Sequence, residues 1–400
     1  MKYKRFYLLL WLYLIYIPYE LTAQKNLETK FERSKGLETV TYQEGISYFK
    51  LLADKFPEIQ IREMGETDSG YPLHLIIYSN DLDFDFSSLR KKNKSIILIN
   101  NAIHPGEPDG VDASMMLLRD MAQDKKAKEK YNEVVLAIIP FYNIGGALNR
   151  NSYTRVNQNG PRSYGFRGNA QNLDLNRDFI KMDSKNSRSF AKIFHEVDPD
   201  IFIDHHVSNG ADYQHVMTML ETQANKLGGA LGNYLETILR PRLEKEMAGR
   251  KFEMVPYVNV WDKTPEAGYT QFLDLPRYSS GYTTLFHTIG FIPETHMLKP
   301  YKERVAATYA FMEAMMQVIK EEGAVLRYHR NQTKKLVSVQ EEFTIDWKHN
   351  IASYRQINFK DIKGSIQIVK SPGRKDCFMT VLNLSKKLFP FMIFTFLKLP

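Results

Sequence analysis

His104 and Glu107 stand three positions apart at the end of Ile97-Leu98-Ile99-Asn100-Asn101-Ala102-Ile103, a run that is apolar and then turns abruptly polar. An imidazole and a carboxylate on one turn can converge on a single point, where they hold a metal ion or pass a proton. Such a pair also arises by chance, so it gains weight only from its position and from partners elsewhere. Two further apolar runs end in groups of the same kind. Ile201-Phe202-Ile203 leads into Asp204-His205-His206, and Phe291-Ile292-Pro293 into Glu294-Thr295-His296. Between them, Asn172-Leu173-Asp174-Leu175-Asn176-Arg177 follows a Gly/Asn-rich loop.

On an extended strand alternate residues share a face, so Asp204 and His206 point one way and His205 the other. Asp174 and Asn176 also share a side, and an arginine beside an asparagine suits a forked, charge-assisted grip on a carboxylate. Glu294 suits a general base, and equally a neighbour of a helix N-cap. Each segment alone reads as ordinary polar capping or a surface turn. Jointly they bring metal-ligand and acid-base residues to one edge of a sheet, and two histidines with one carboxylate form a catalytic zinc set with an open fourth position.

The elements that must carry these residues follow from hydrophobic periodicity. Strands are predicted at Ile59 to Met64, Tyr71 to Tyr78, the run before His104, Val134 to Ile139, Ile201 to Ile203 and Thr283 to Phe291. Helices are predicted at Tyr42 to Phe56, Val111 to Met121, Ser187 to Glu196, Thr222 to Met247 and Val305 to Ile319. Val134 to Ile139 is almost wholly apolar, as expected of a strand buried on both faces. The alternation gives an α/β domain with a mostly parallel sheet and helices on both faces, and ligands then sit outside the carboxyl ends of its strands.

The ordered set His104-Pro105-Gly106-Glu107, Asn172 to Phe179, Asp204-His205-His206 and Pro293-Glu294-Thr295-His296 resembles the zinc carboxypeptidase family, the carboxypeptidase A-like metallopeptidases, from about Tyr42 to Ile319. The resemblance implies a mixed sheet of about eight strands and one Zn2+ held by His104, Glu107 and His206. Asp174 then orients the first histidine, and Asn176 and Arg177 hold the substrate's terminal carboxylate. It also implies Glu294 as general base on a zinc-bound water, with Arg155 polarising the scissile carbonyl and Arg150 the less favoured substitute. The family's site tyrosine falls on Tyr278 or Tyr282. Two departures mark a divergent, bacterial-type member. Gly106 stands where digestive members carry arginine, and Asn143-Ile144-Gly145-Gly146 replaces their Asn-Pro-Asp-Gly. The expected activity is hydrolysis of peptide bonds near a free C-terminus. The alternatives are an amidase of the same scaffold acting on cell-wall peptides or acyl-amino acids, and a non-catalytic binding module.

The 400 residues are 43% hydrophobic, enough for one large domain. The net charge of +8 is dispersed, so nucleic acid is not an expected partner, whereas peptides are. Lys2, Lys4 and Arg5 precede the apolar run Phe6 to Ile17, Pro18 and a small residue at Ala23. That is the layout of a signal peptide over residues 1–23, which implies export to the periplasm or beyond and no membrane span in the mature chain. The lone Cys377 excludes an internal disulfide. The catalytic domain is expected over 24–326, as a monomer, with a loose polar leader at its start. Residues 327–400 are expected to form a small β-rich appendage of short strands.

Overall fold

The computed structural model describes residues 27–260, 268–344, 347, 355–371 and 374–392. The proposed signal segment lies outside them. Ahead of the sheet, the first helix, α1 (Tyr42–Lys55), starts from a capping box in which the Thr41 hydroxyl accepts from Glu44 N–H and the Glu44 carboxylate accepts from Thr41 N–H. The expected loose leader is instead ordered from Leu27, with a second capping box, Thr29/Glu32, opening the turn Lys30–Arg33.

The sheet elements are β1 (Ile59–Glu66), β2 (Pro72–Tyr78), β3 (Ser95–Asn100), β4 (Val134–Ile139), β5 (Ile201–Asp204), β6 (His206–Ser208), β7 (Met217–Glu221) and β8 (Val255–Pro256). Two-residue strands β9 (Asn259–Val260) and β10 (Tyr269–Thr270) precede β11 (Ile289–His296). The main sheet has nine strands, ordered β1-β2-β4-β3-β5-β11-β7-β8, with β6 paired to β11. Its centre, β4-β3-β5-β11, is parallel, while β1, β2 and β7 pair antiparallel. Alternation along the strands feeds two apolar layers. Ile97, Ile99, Leu136 and Ile203 face α1, the helix α2 (Asp109–Gln123) and the long helix Tyr301–Val337. Ile96, Leu98, Val135 and Phe202 face Phe190, Ile193 and Phe194 of the helix α3 (Lys185–Val197). Both faces are therefore covered, which is why the central strands carry no polar alternation.

The chain leaves β3 for β4 on one side and later returns as β5 on β3's other side, so the order reverses between β3 and β5. The crevice that this reversal opens is the usual ligand position in such sheets. Four elements depart from expectation. The predicted helix Thr222 to Met247 is broken into Ala224–Leu227, Gly229–Tyr234, a π-turn Leu235–Leu239 and Arg240–Gly249, with Gly228 and Gly229 both at positive φ. Thr283 and Thr284 belong to a helix, Ser279–Thr284, and β11 starts later, at Ile289, running on through Glu294. The closing helix extends to Val337, so a boundary after residue 326 falls inside it. Beyond it lie two long paired strands, β12 (Arg355–Ser371) and β13 (Arg374–Met392), in place of several short ones. They form a second sheet with β10 and β9.

Candidate active site

His104 lies on the turn after β3, and Glu107 follows as that turn closes, its N–H donating to the His104 carbonyl at 2.8 Å. His206 opens β6 one residue after β5 ends. Two ring nitrogens and a carboxylate oxygen from these three buried residues lie within 4.8 Å of one another. The Glu107 oxygens stand 3.3 Å from His104 Nδ1 and 3.2 Å from His206 Nδ1. Each histidine is turned by a carboxylate on its other nitrogen. His104 Nε2 donates to Asp174 at 3.0 Å, and His206 Nε2 donates to Asp204 at 3.1 Å. With both Nε2–H groups so engaged, the two Nδ1 lone pairs are left for a metal, an arrangement that fixes tautomer and ring orientation. Asp204 is itself held by the Asn100 side-chain amide at 3.0 Å. His205 turns the other way, onto Asn101 at 2.7 Å, and burial drives its pKa down to about 3, so it stays neutral.

The donor set of two imidazoles and a carboxylate with carboxylate-backed rings suits zinc. The charges of the site agree. Burial alone would raise the Glu107 pKa, but Arg155 and His104 hold it well below the usual carboxylate range. Burial would lower the His206 pKa, yet Asp204 and Glu107 raise it well above normal, so metal uptake must displace a proton from it.

Glu294 arrives through strand register. In the parallel pair β6/β11 it sits opposite His206, and residues paired this way point to the same side of a sheet. Burial and the Glu107 charge push its carboxyl up to about 8, against the opposing pull of His206 and Arg155. Asn176 and Arg177 line the same 270 Å³ pocket as His104, Glu107, His206 and Glu294. A wider cleft of about 960 Å³ shares His104, Arg155 and Arg167 with this pocket and is lined further by Gly106, Val156, Phe166, Met297 and Leu298 among others.

Arg155 reaches the cluster, and each of its three nitrogens already donates to a protein acceptor. It donates to Glu107 at 2.6 Å, to the Val207 carbonyl at 2.8 Å and to Gln158 at 2.5 Å. Its stem crosses Gly106, where an added Cβ would stand 2.8 Å from Arg155 Cδ. Glycine at this position thus makes room for an arginine delivered from another loop. Arg150, the substitute, lies away from the cluster and donates to the carbonyls of Val40 and Ser163.

Two residues were missed by sequence reasoning. Arg167 holds Asp174 through Nε and Nη2 at 3.1 and 2.9 Å, and its Nη1 stands 3.3 Å from His104 Nδ1. Tyr257 lines the pocket from the far loop. Asp204 was read only as sharing a face with His206, and that shared face was the signal for its role as the ring's partner. Of the two tyrosines, Tyr278 lines the pocket with the Arg177 guanidinium 4.7 Å from its ring centre, while Tyr282 is buried among Phe179, Phe190 and Phe194.

Residues 46–227 match the family model described as zinc carboxypeptidase, a stretch that includes His104, Glu107, Asp174 and His206. Over that stretch the sequence matches a family of hydrolases whose metal is zinc, and His104, Glu107 and His206 are buried residues able to bind such an ion. Solved structures share the fold at low identity. A metallo-carboxypeptidase from Burkholderia cenocepacia is 17% identical, with 72% of this chain and 70% of that one covered and a TM-score of 0.52. A metallo-carboxypeptidase from Pseudomonas aeruginosa is 14% identical over 72% and 70%, with a TM-score of 0.53. Carboxypeptidase A from Helicoverpa armigera is 14% identical over 72% and 75%, with a TM-score of 0.54. No curated protein matches the sequence.

Proposed function

We propose that this metallocarboxypeptidase removes residues from the C-terminus of peptides, with Glu294 as general base and acid. The observation that carries this reading is the register that sets Glu294 beside His206. When bound, zinc supplies a Lewis acid that polarises the carbonyl and lowers the pKa of water. Glu294 then takes a proton from the attacking water and returns it to the amine released as the C–N bond breaks. A cation in the ligand cluster favours the ionised form of Glu294, which is the form a base needs.

Asn176 and Arg177 grip the terminal carboxylate, Arg177 braced over Tyr278. Leu220, Phe272 and Ile292 add an apolar patch to a wall that also carries the polar Ser208 and Asn209, and that patch suits an apolar last side chain. The contrast between this small pocket and the wide cleft supports an exo-acting enzyme, since one residue fits on one side and the rest of the substrate on the other. The cleft's width also suits acylated and cell-wall stem peptides with a free C-terminus. Arg167, half exposed with Nη1 at the ligand cluster, is better placed than Arg155 to stabilise the oxyanion. The basic, then apolar N-terminus supports export; among the described residues no helix is long and apolar enough to cross a membrane.

The test is Glu294→Gln. The variant is expected to hold zinc at wild-type stoichiometry and to lose release of C-terminal residues from peptides. Retained hydrolysis would overturn the assignment.

A further inference from the structure

Glu294 and the metal-holding turn belong to segments far apart in sequence, and the distance between them must be set by something rigid. Behind the site lies Arg304, near the start of the long closing helix and wholly buried. Its Nε donates to Asp109 at 3.1 Å and its Nη2 to the same carboxylate at 3.4 Å. The remaining donors reach the carbonyls of Gly160 at 2.9 Å, Lys299 at 3.1 Å, Met297 at 3.2 Å and Asn159 at 3.3 Å. A guanidinium has five N–H donors, and this one spends all of them on protein acceptors.

Those acceptors belong to three segments that carry the site. Asp109 is two residues past Glu107, at the head of α2. Asn159 and Gly160 end the loop from which Arg155 grips Glu107. Met297 and Lys299 follow the strand that holds Glu294. Thr295, the residue after Glu294, closes the arrangement by donating its hydroxyl to Asp109 Oδ2 at 2.6 Å.

We infer that Arg304, Asp109 and Thr295 form a positioning device that fixes Glu294 relative to the metal turn. Asp109 Oδ2 accepts from both Arg304 Nε and the Thr295 hydroxyl, so moving the base strand against the metal turn would break a buried, charge-assisted hydrogen bond. Thr295 points away from Glu294 along the strand, so it acts through the backbone and touches no substrate. The inference rests on the reading of Glu294 as base.

Thr295→Val keeps the shape and removes the hydroxyl, and Thr295→Ser keeps the hydroxyl. Both are to be compared with wild type and Glu294→Gln as full-length, zinc-loaded chains, on a peptide with a free C-terminus and an apolar last residue. Thr295→Val is expected to lower kcat about tenfold or more, the scale at which small misplacements act, with KM and zinc content unchanged. Thr295→Ser is expected to restore most of kcat. Wild-type kcat in Thr295→Val, loss of zinc along with activity, or no rescue by serine would overturn the inference. An active Glu294→Gln would overturn the reading of the site and this inference with it. An inactive Glu294→Gln beside an unaffected Thr295→Val would overturn the inference alone.

Discussion

Two arginine side chains reach the ligand cluster, and their surroundings give them different work. Arg155 donates to Glu107, to the Val207 carbonyl and to Gln158, contacts that hold the Glu107 carboxylate in place. Arg167 is half exposed and turns Nη1 toward His104 Nδ1. Arg155→Ala is therefore expected to weaken zinc binding about 10- to 100-fold, as removal of a ligand's hydrogen-bond partner does. Arg167→Ala is expected to keep zinc and lose about 100- to 1000-fold in kcat, as removal of one oxyanion donor does. Competition with a chelator and steady-state kinetics separate the two, and equal effects of both substitutions on zinc would contradict this division. His104, Glu107 and His206 were legible because strand ends advertise themselves as apolar runs turning polar. Arg155 was named only through the resemblance and Arg167 not at all, because the irregular loop between Asn149 and Asn172 delivers both and no periodicity says which one turns inward. The choice between Tyr278 and Tyr282 was hidden for another reason. Both lie on one short segment, and only packing against Phe190 and Phe194 shows that Tyr282 belongs to the core.

The element that carries the metal turn onward, α2, lies unusually close to the ends of β3 and β5. A Cβ on Gly110 would stand 2.2 Å from Asn101 Oδ1 and 2.7 and 2.8 Å from Nδ1 and Cβ of His205. The Asn101–His205 hydrogen bond runs through that contact, and His205 is the immediate neighbour of His206. Gly110→Ala is expected to destabilise the fold by about 1–3 kcal/mol, the usual cost of overpacking. It should also lower zinc occupancy, because the displaced His205 moves its neighbour. Denaturant unfolding together with metal analysis checks both, and an unchanged midpoint would contradict the close approach. The strand Val134–Ile139 was read with its observed limits because an unbroken apolar run has few alternatives. Thr283 and Thr284 misled because β-branched residues favour strands. Here both hydroxyls return to the Ser280 carbonyl, at 3.1 and 2.6 Å, so the helix satisfies them internally. The supposed single helix after Thr222 kept its leucine stripe but not its continuity, since Gly228 and Gly229 both take positive φ, which a helix interior does not allow.

Across the whole molecule, the covering of both sheet faces was legible from alternation, whereas the length of the closing helix was not, because its last turns are polar and leave no periodic apolar stripe. That helix does more than cover the sheet. Near its start the Tyr301 hydroxyl donates to Asp112, a wholly buried carboxylate of α2 that feels the charges of Asp109 and Arg150. Burial pushes Asp112 up to about 7, far above an ordinary aspartate near 4. A carboxyl whose pKa is raised on folding binds its proton more tightly in the native state. Its contribution to stability is therefore complete below about pH 4 and is lost as pH rises toward 7, on the order of 4 kcal/mol over the whole range. Asp112→Asn keeps the acceptor for Tyr301 and cannot ionise, so the variant escapes this loss. Its stability relative to wild type is expected to rise by on the order of 2 kcal/mol between pH 5 and pH 7 and then to level off. Unfolding free energies measured for both chains at matched pH cancel the contributions of every other titrating group, the zinc ligands included. A difference that stays constant from pH 5 to pH 8 would show that Asp112 is already charged in the folded protein, and that the contact between α2 and the closing helix contains water that the packing gives no sign of.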